Sequence, residues 1–279
     1  MELNFYLQNC YKISKIVTKS YSTSFSLATL MLEKNKRKAI YSIYGFVRLA
    51  DEIVDSFHNF DKKFLLEEFI NDTNYALSFH IHTNPILMAF ADTAYKYKIQ
   101  SEFINAFFES MKLDLNKTKY ETPQEIDKYI YGSAEVVGLM CLKVFCEQNE
   151  VLYNKLEHSA KKLGSVFQKI NFLRDLKYDI NNLGRVYFPE VKNFEFNSET
   201  KAMIEKSIEM DLIRIYSDIK QLPGRSKLAV SIAYSYYFSL FKKIKIFSAE
   251  KVLTERIRIS NLRKILILLK EIIKYCIKL

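Results

Sequence analysis

Glycine occurs six times and proline four in 279 residues, and apolar residues recur between them with a helical period. A chain so poor in breakers and turn formers has few ways to build hairpins and many to build long helices. The spacing predicts helices over roughly 36–57, 61–78, 84–97, 100–116, 124–147, 151–182, 198–221 and 226–247, with a terminal one from about 261. Asp61 and Ser101 are the expected N-caps, and Pro123 suits a first helical turn. Gly184 and Pro189 end the helix that begins near 151. Residues 190–200 read as a polar loop. No repeat and no Pro-, Gly- or Ser-rich linker divides the chain, so the expectation is an all-α fold in one domain, 1–279.

Two of these helices carry the same unusual device. Asp51-Glu52-Ile53-Val54-Asp55 and Asp175-Leu176-Lys177-Tyr178-Asp179 each place two aspartates four residues apart, on one helix face and about 6 Å apart along the axis. In the first helix Tyr44, Arg48, Asp51 and Asp55 share a stripe about 60° wide. Ile43, Val47, Ala50 and Val54 run beside it, so the acidic stripe is expected to face an internal cavity. Arg48, one turn before Asp51, is placed to pair with it when no cation is bound. In the second helix Gly164, Gln168, Asn171, Asp175 and Asp179 lie within about 80° of one another. Two amides and two carboxylates in a line make an oxygen-rich wall suited to a hard divalent cation, and Arg174 and Lys177 flank it where phosphate oxygens would lie. Clustered carboxylates in apolar helices repel and lose hydration, and a cation bridging a polyanionic ligand relieves both costs. The competing readings are an exposed ionic stripe for the first pair and an amide-lined seam between helices for the second.

Composition narrows the partners. A formal charge of +10 suits anionic ligands, nucleic acid or an acidic membrane surface without choosing among them. A basic helical scaffold that binds nucleic acid or membranes is therefore the alternative of another class. Cys10, Cys141, Cys146 and Cys276 form no metal-binding spacing, so reduced thiols are expected. The first residues lack the pattern of a signal peptide, and the apolar block 265–269 is too short to span a bilayer. The expected location is cytoplasmic, with peripheral contact to the inner face of the membrane. His80-Ile81-His82 lacks further zinc ligands at a suitable spacing, and no Gly-rich phosphate loop, GxSxG or Walker lysine occurs.

Two weaker features remain. Ala134 and Gly138 sit one turn apart in the stretch 129–138, where small residues allow close helix approach and, secondarily, a pocket wall. The basic run 34–38 reads as a solvated helix start.

Taken together, these stretches resemble the squalene/phytoene synthase family. Ser22-Thr23-Ser24-Phe25 is similar to its S-x-[ST]-F element, and residues 39–55 are similar to its A-x-x-x-Y-x-x-x-R-x-x-D-[DE]-x-x-D signature. Residues 129–138 resemble Y-x-Y-G-x-A-x-x-V-G, and residues 168–179 with 184–189 resemble the second acidic signature. Tyr237 and Arg256 look like fainter family elements. The resemblance implies antiparallel helices around a large central cavity, the isoprenoid synthase type of fold. It implies Asp51, Asp55, Asp175 and Asp179 as catalytic acids that bind magnesium (or manganese), with Asn171 joining them. Ser22, Ser24, Tyr44, Arg48, Tyr129, Gln168, Asn171, Arg174, Tyr237 and Arg256 are implied as substrate contacts. The implied reaction joins two prenyl diphosphates head to head through a cyclopropyl diphosphate, releasing diphosphate. Two geranylgeranyl diphosphates giving phytoene are the expected pair; two farnesyl diphosphates giving squalene or dehydrosqualene are the alternative, with NADPH needed only for squalene. No nucleic-acid partner is implied. The chain departs from the family in having Thr23 where many members carry a basic residue, and Glu135 where many have glycine.

Overall fold

The computed structural model describes residues 2–191 and 195–277. The described residues form thirteen α-helices, one π-helical turn and no strand. In chain order the helices are α1 (Glu2–Tyr21), α2 (Thr23–Thr29), α3 (Lys34–Ser56), α4 (Lys62–Phe79), α5 (Pro85–Tyr97), α6 (Ser101–Asn116) and α7 (Pro123–Ile130). After the π turn Tyr131–Glu135 come α8 (Val136–Cys146), α9 (Glu150–Leu183), α10 (Ser198–Ile219), α11 (Gly224–Ile246), α12 (Ala249–Thr254) and α13 (Asn261–Ile277).

The expected helices all occur, with ends displaced by at most about two residues. Asp61 accepts a bond from the amide of Phe64 at 3.0 Å and caps α4 as expected. Pro123 opens α7 behind a Thr122 cap, and Gly184 closes α9 at φ 63°. Ser101 is not a cap: Gln100 holds that position and makes no side-chain cap bond. The polar loop ends earlier than expected, because Asn197 and Thr200 form a reciprocal capping box that starts α10 at Ser198. Of the expected loop, residues 192–194 lie outside the described residues. The short helices α2 and α12, and the long α1, were not among the expected elements. Lys34 and Asn35 are solvated, but Lys36 is buried and pairs with Glu147 at 3.2 Å, so the basic run is only partly a solvated start.

The long α9 packs against α8, the π turn, α10, α11 and α12, while α3 packs against α1, α5, α6 and α8. A stack of Phe46 on Phe90, with ring centroids 3.8 Å apart, anchors the α3–α5 contact. The packing of α9 against the π turn and α8 depends on glycine: a Cβ on Gly164 would sit 2.6 Å from the carbonyl oxygen of Ala134, and one on Gly138 would sit 2.8 Å from that of Ala160. The run 123–146 is long and apolar enough to cross a membrane by length and composition. It lies in the core instead, where Val136, Leu139 and Met140 have no exposure.

Candidate active site

The main cavity, of about 570 Å³, lies between α3, α8, α9, α10 and α11. Asp51, Asp55, Asp175 and Asp179 all line it, with Asp114 from α6 beside them. From Asp175 to Ser159, which also lines the cavity, α9 advances sixteen residues, about 24 Å. Between these points the lining includes Leu163, Phe167, Val137 and Ile43. One end is therefore acidic and the middle largely apolar, with Ser159 bonded to Asp218 at the other end.

Local helical geometry puts each acid pair on one face, and tertiary packing turns the two faces toward each other. The charge of Asp55 on α3 is felt by Asp179 on α9. Burial, then the neighbouring Asp175 and Asp55, push Asp179 up to about 8. Burial, then Asp55, push Asp51 up to about 7 against the pull of Arg48. Asp114 rises to about 7, chiefly through burial, although Arg185 lowers it.

The remaining acids are tied to cations. Arg185, just past the Gly184 turn, pairs with Asp55 at 2.8 Å and lies 3.6 Å from Asp114. Arg174 holds Asp175 through Nη2 at 2.5 Å, and Arg256 reaches the same carboxylate at 2.7 Å. Among the described residues, the carboxylates of Asp51 and Asp179 make no hydrogen bond or ion pair. They are acceptors without donors, which is the electrostatic condition that a bound cation relieves.

Among the described residues, no three His, Cys, Asp or Glu side chains stand close enough to hold a metal ion as they are. The expected ligands are thus not gathered into a finished set: Asp55 and Asp175 are drawn to arginines. Asn171 accepts from Tyr237 at 3.2 Å and donates to Gln168 at 3.3 Å. The donor types nonetheless fit a hard divalent cation, since all are oxygens and two are unpaired carboxylates.

Ser22, Tyr44, Arg48, Tyr129, Gln168, Arg174, Tyr237 and Arg256 also line the cavity. Tyr44 stacks on Phe25 at 4.9 Å, and Tyr237 lies flat against Phe167 at 3.8 Å. The hydroxyl of Tyr129 donates to Asp114 at 2.9 Å. Three expectations need correction. Arg48 pairs with Glu52 rather than Asp51, because the i+4 carboxylate lies directly along its side chain, and it also stacks over Tyr21 at 4.3 Å. Ser24 is outside the cavity lining, and Lys177 is exposed on the far side of α9. Thr23, where many family members carry a basic residue, is exposed outside the cavity lining and accepts a bond from Lys264 of α13 at 2.5 Å. Glu135 is half-buried; burial raises its carboxyl while Lys162, Lys161 and Lys169 lower it.

Asp114 and Arg185 were missed as site residues. Asp114 had a legible signal, since it falls on the same face of α6 as buried Phe103, Phe107 and Met111. A lone acid on such a face needs a partner. Arg185 had its place within the stretch 184–189 that resembles the second signature, just past the glycine turn.

A family model described as squalene/phytoene synthase matches residues 18–263. The 4,4'-diapophytoene synthase of Staphylococcus haemolyticus is 26% identical over 72% of this chain and 69% of its own length. A chloroplastic phytoene synthase of Daucus carota is 29% identical over 66% of this chain; the match spans only 46% of that enzyme. A crystal structure of a dehydrosqualene synthase with ligand bound superposes with a TM-score of 0.81 at 22% identity, covering 98% of each chain. A squalene synthase from Alicyclobacillus acidocaldarius gives 0.75 at 19% identity, over 86% of this chain and 94% of its own. At those identities the superpositions establish a shared all-α fold.

Proposed function

The chain belongs to the squalene/phytoene synthase family of prenyltransferases, and from that premise we propose that it joins two prenyl diphosphates head to head, most specifically two geranylgeranyl diphosphates to give phytoene. Residues 1–279 act as one catalytic unit. The observation that carries this reading is the facing of two acid pairs at one end of an apolar cavity, with Asp51 and Asp179 pushed up to about 7 and 8 and left without donors.

Asp51, Asp55, Asp175 and Asp179, with Asn171, are the residues that would hold magnesium. When bound, the ion neutralises the diphosphate and makes it a better leaving group. The chain's own side chains do the rest. Arg174, Arg256, Gln168 and Ser22 orient diphosphate oxygens at the acidic end. Departure of diphosphate leaves an allylic cation, which the aromatic side chains lining the cavity, Tyr44, Phe167 and Tyr237 among them, would stabilise. The double bond of the second substrate attacks that cation, and loss of a proton closes a cyclopropyl diphosphate. A second ionisation, rearrangement and proton loss give phytoene. The apolar wall excludes water, which would otherwise trap either cation as an alcohol.

The cavity's reach supports the longer substrate tail. An extended carbon chain advances about 1.2 Å per bond, so a C20 tail needs roughly 18 Å. The apolar stretch of α9 beyond Asp175 accommodates that. A second reading, two farnesyl diphosphates giving dehydrosqualene, is favoured by the similarity to a 4,4'-diapophytoene synthase. Incubating the protein and magnesium with each diphosphate, with and without NADPH, and weighing the product separates the two. Phytoene from the C20 substrate, indifferent to NADPH, is expected. A C30 hydrocarbon as the sole product overturns the C20 assignment, and no head-to-head product from either substrate overturns the function.

A further inference from the structure

Helix α13 is held by one face and bare on the other. Ile267 and Glu271 are buried: Ile267 packs with Leu228, Ile232 and Tyr236 of α11, and Glu271 accepts from Ser235 at 3.2 Å. Leu262, Ile265, Leu266, Leu269, Ile273 and Ile277 fall within about 120° of one another on the opposite side. All six are exposed, from 49% at Ile265 to 78% at Ile277. Single exposed aliphatic residues are ordinary, but a continuous aliphatic stripe along a whole helix needs a cover.

Charge identifies the cover. Arg263 and Lys270 run along one border of the stripe, about 80–100° from Leu262, while Lys274 beyond them is tied to Glu271 at 2.8 Å. The single carboxylate of α13, Glu271, is buried on the inner face, so the outer surface of this helix carries cations alone. A second copy docked stripe to stripe in antiparallel fashion would bring like borders together in a chain that already carries +10. An acidic lipid surface offers the opposite: phosphates for the cationic border and acyl chains for the aliphatic stripe, with the long basic side chains reaching up to the headgroups. Position adds to this. Lys264, on the same helix, bonds Thr23 next to cavity-lining Ser22.

We infer that α13 is an interfacial anchor, laying Leu262, Ile265, Leu266, Leu269 and Ile273 into an anionic bilayer while Arg263 and Lys270 meet lipid phosphates. The inference deepens the proposed function by setting the cavity beside a phase that takes up an apolar product, and its test reads binding rather than turnover.

The purified chain is sedimented with vesicles of phosphatidylcholine alone and of phosphatidylcholine with phosphatidylglycerol in equal parts. Binding to the anionic vesicles, weakened by salt, is expected. Leu266→Gln with Leu269→Gln lowers the partition coefficient by about tenfold or more while leaving helicity and the thermal transition in place. Arg263→Glu with Lys270→Glu, which touches no apolar residue, lowers it comparably on anionic vesicles only. Equal binding by wild type and both variants, or no binding by the wild type, overturns the assignment. So does a wild-type dimer in light scattering that the leucine variant converts to monomer, which would make a second copy the occupant.

Discussion

Arg185 joins Asp55 of α3, at 2.8 Å, to Asp114 of α6, at 3.6 Å, although it comes from the turn after α9. One buried guanidinium thus neutralises part of an acidic cluster assembled from three separate helices. Its charged form is strongly favoured: burial works against it, but Asp114 and Asp55 overcome that. Arg185→Met should therefore cost about 3 kcal/mol or more, because it strands buried carboxylates. Chemical denaturation measures this, and an unchanged midpoint would contradict the role. Arg185→Lys keeps the charge without the fork and should fall between the two.

Asp51→Asn should separate stability from turnover. The substitution keeps the shape and removes a charge repelled by Asp55, so the metal-free protein at pH 8 should melt several degrees higher. Turnover should fall by about a hundredfold or more, since a carboxylate is lost from the acidic end. Full activity in the variant would remove Asp51 from the site.

Stability should depend on pH in a direction opposite to that of most carboxylates. Asp51 and Asp179 are pushed up from 3.8 to about 7 and about 8. Between about pH 4 and 8 the folded chain therefore keeps protons that the unfolded chain has released, and stability falls as pH rises. The melting temperature without metal should drop from about pH 5 to about pH 8. Added magnesium should raise it more at pH 8 than at pH 6, where protons compete for the same oxygens. Chelation should abolish turnover and excess magnesium restore it. A larger magnesium effect at pH 6, or turnover indifferent to EDTA, would refute the linkage.

Gly164→Ala tests the close approach of α9 to the π turn. The new methyl would meet the backbone oxygen of Ala134 at 2.6 Å, and backbone cannot swing aside as a side-chain tip can. A loss of about 1–3 kcal/mol is expected, although alanine is the better helix former. A thermal transition at or above that of wild type would show that the two helices part without cost.

Much of the site could be read from local order. Asp51 with Asp55, and Asp175 with Asp179, share a face because four residues are close to one helical turn, whatever surrounds the helix. Gln168 and Asn171 belong to the second stripe for the same reason. The π turn at Tyr131–Glu135 was not legible, since it adds one residue to a turn within an otherwise regular apolar pattern. Arg48 has both Asp51 at i+3 and Glu52 at i+4 within reach, and the structure pairs it with Glu52, the one directly along its side chain.

By itself the chain's order of residues determined the helices, their polar and apolar faces, and the pairing of acids on two of them, because those depend on neighbours three or four positions away. Only the tertiary structure decided that the two acidic faces meet, that Asp114 and Arg185 join them, and that Lys264 reaches Thr23. Such contacts connect segments far apart in the chain, and only the packing of whole helix faces selects them.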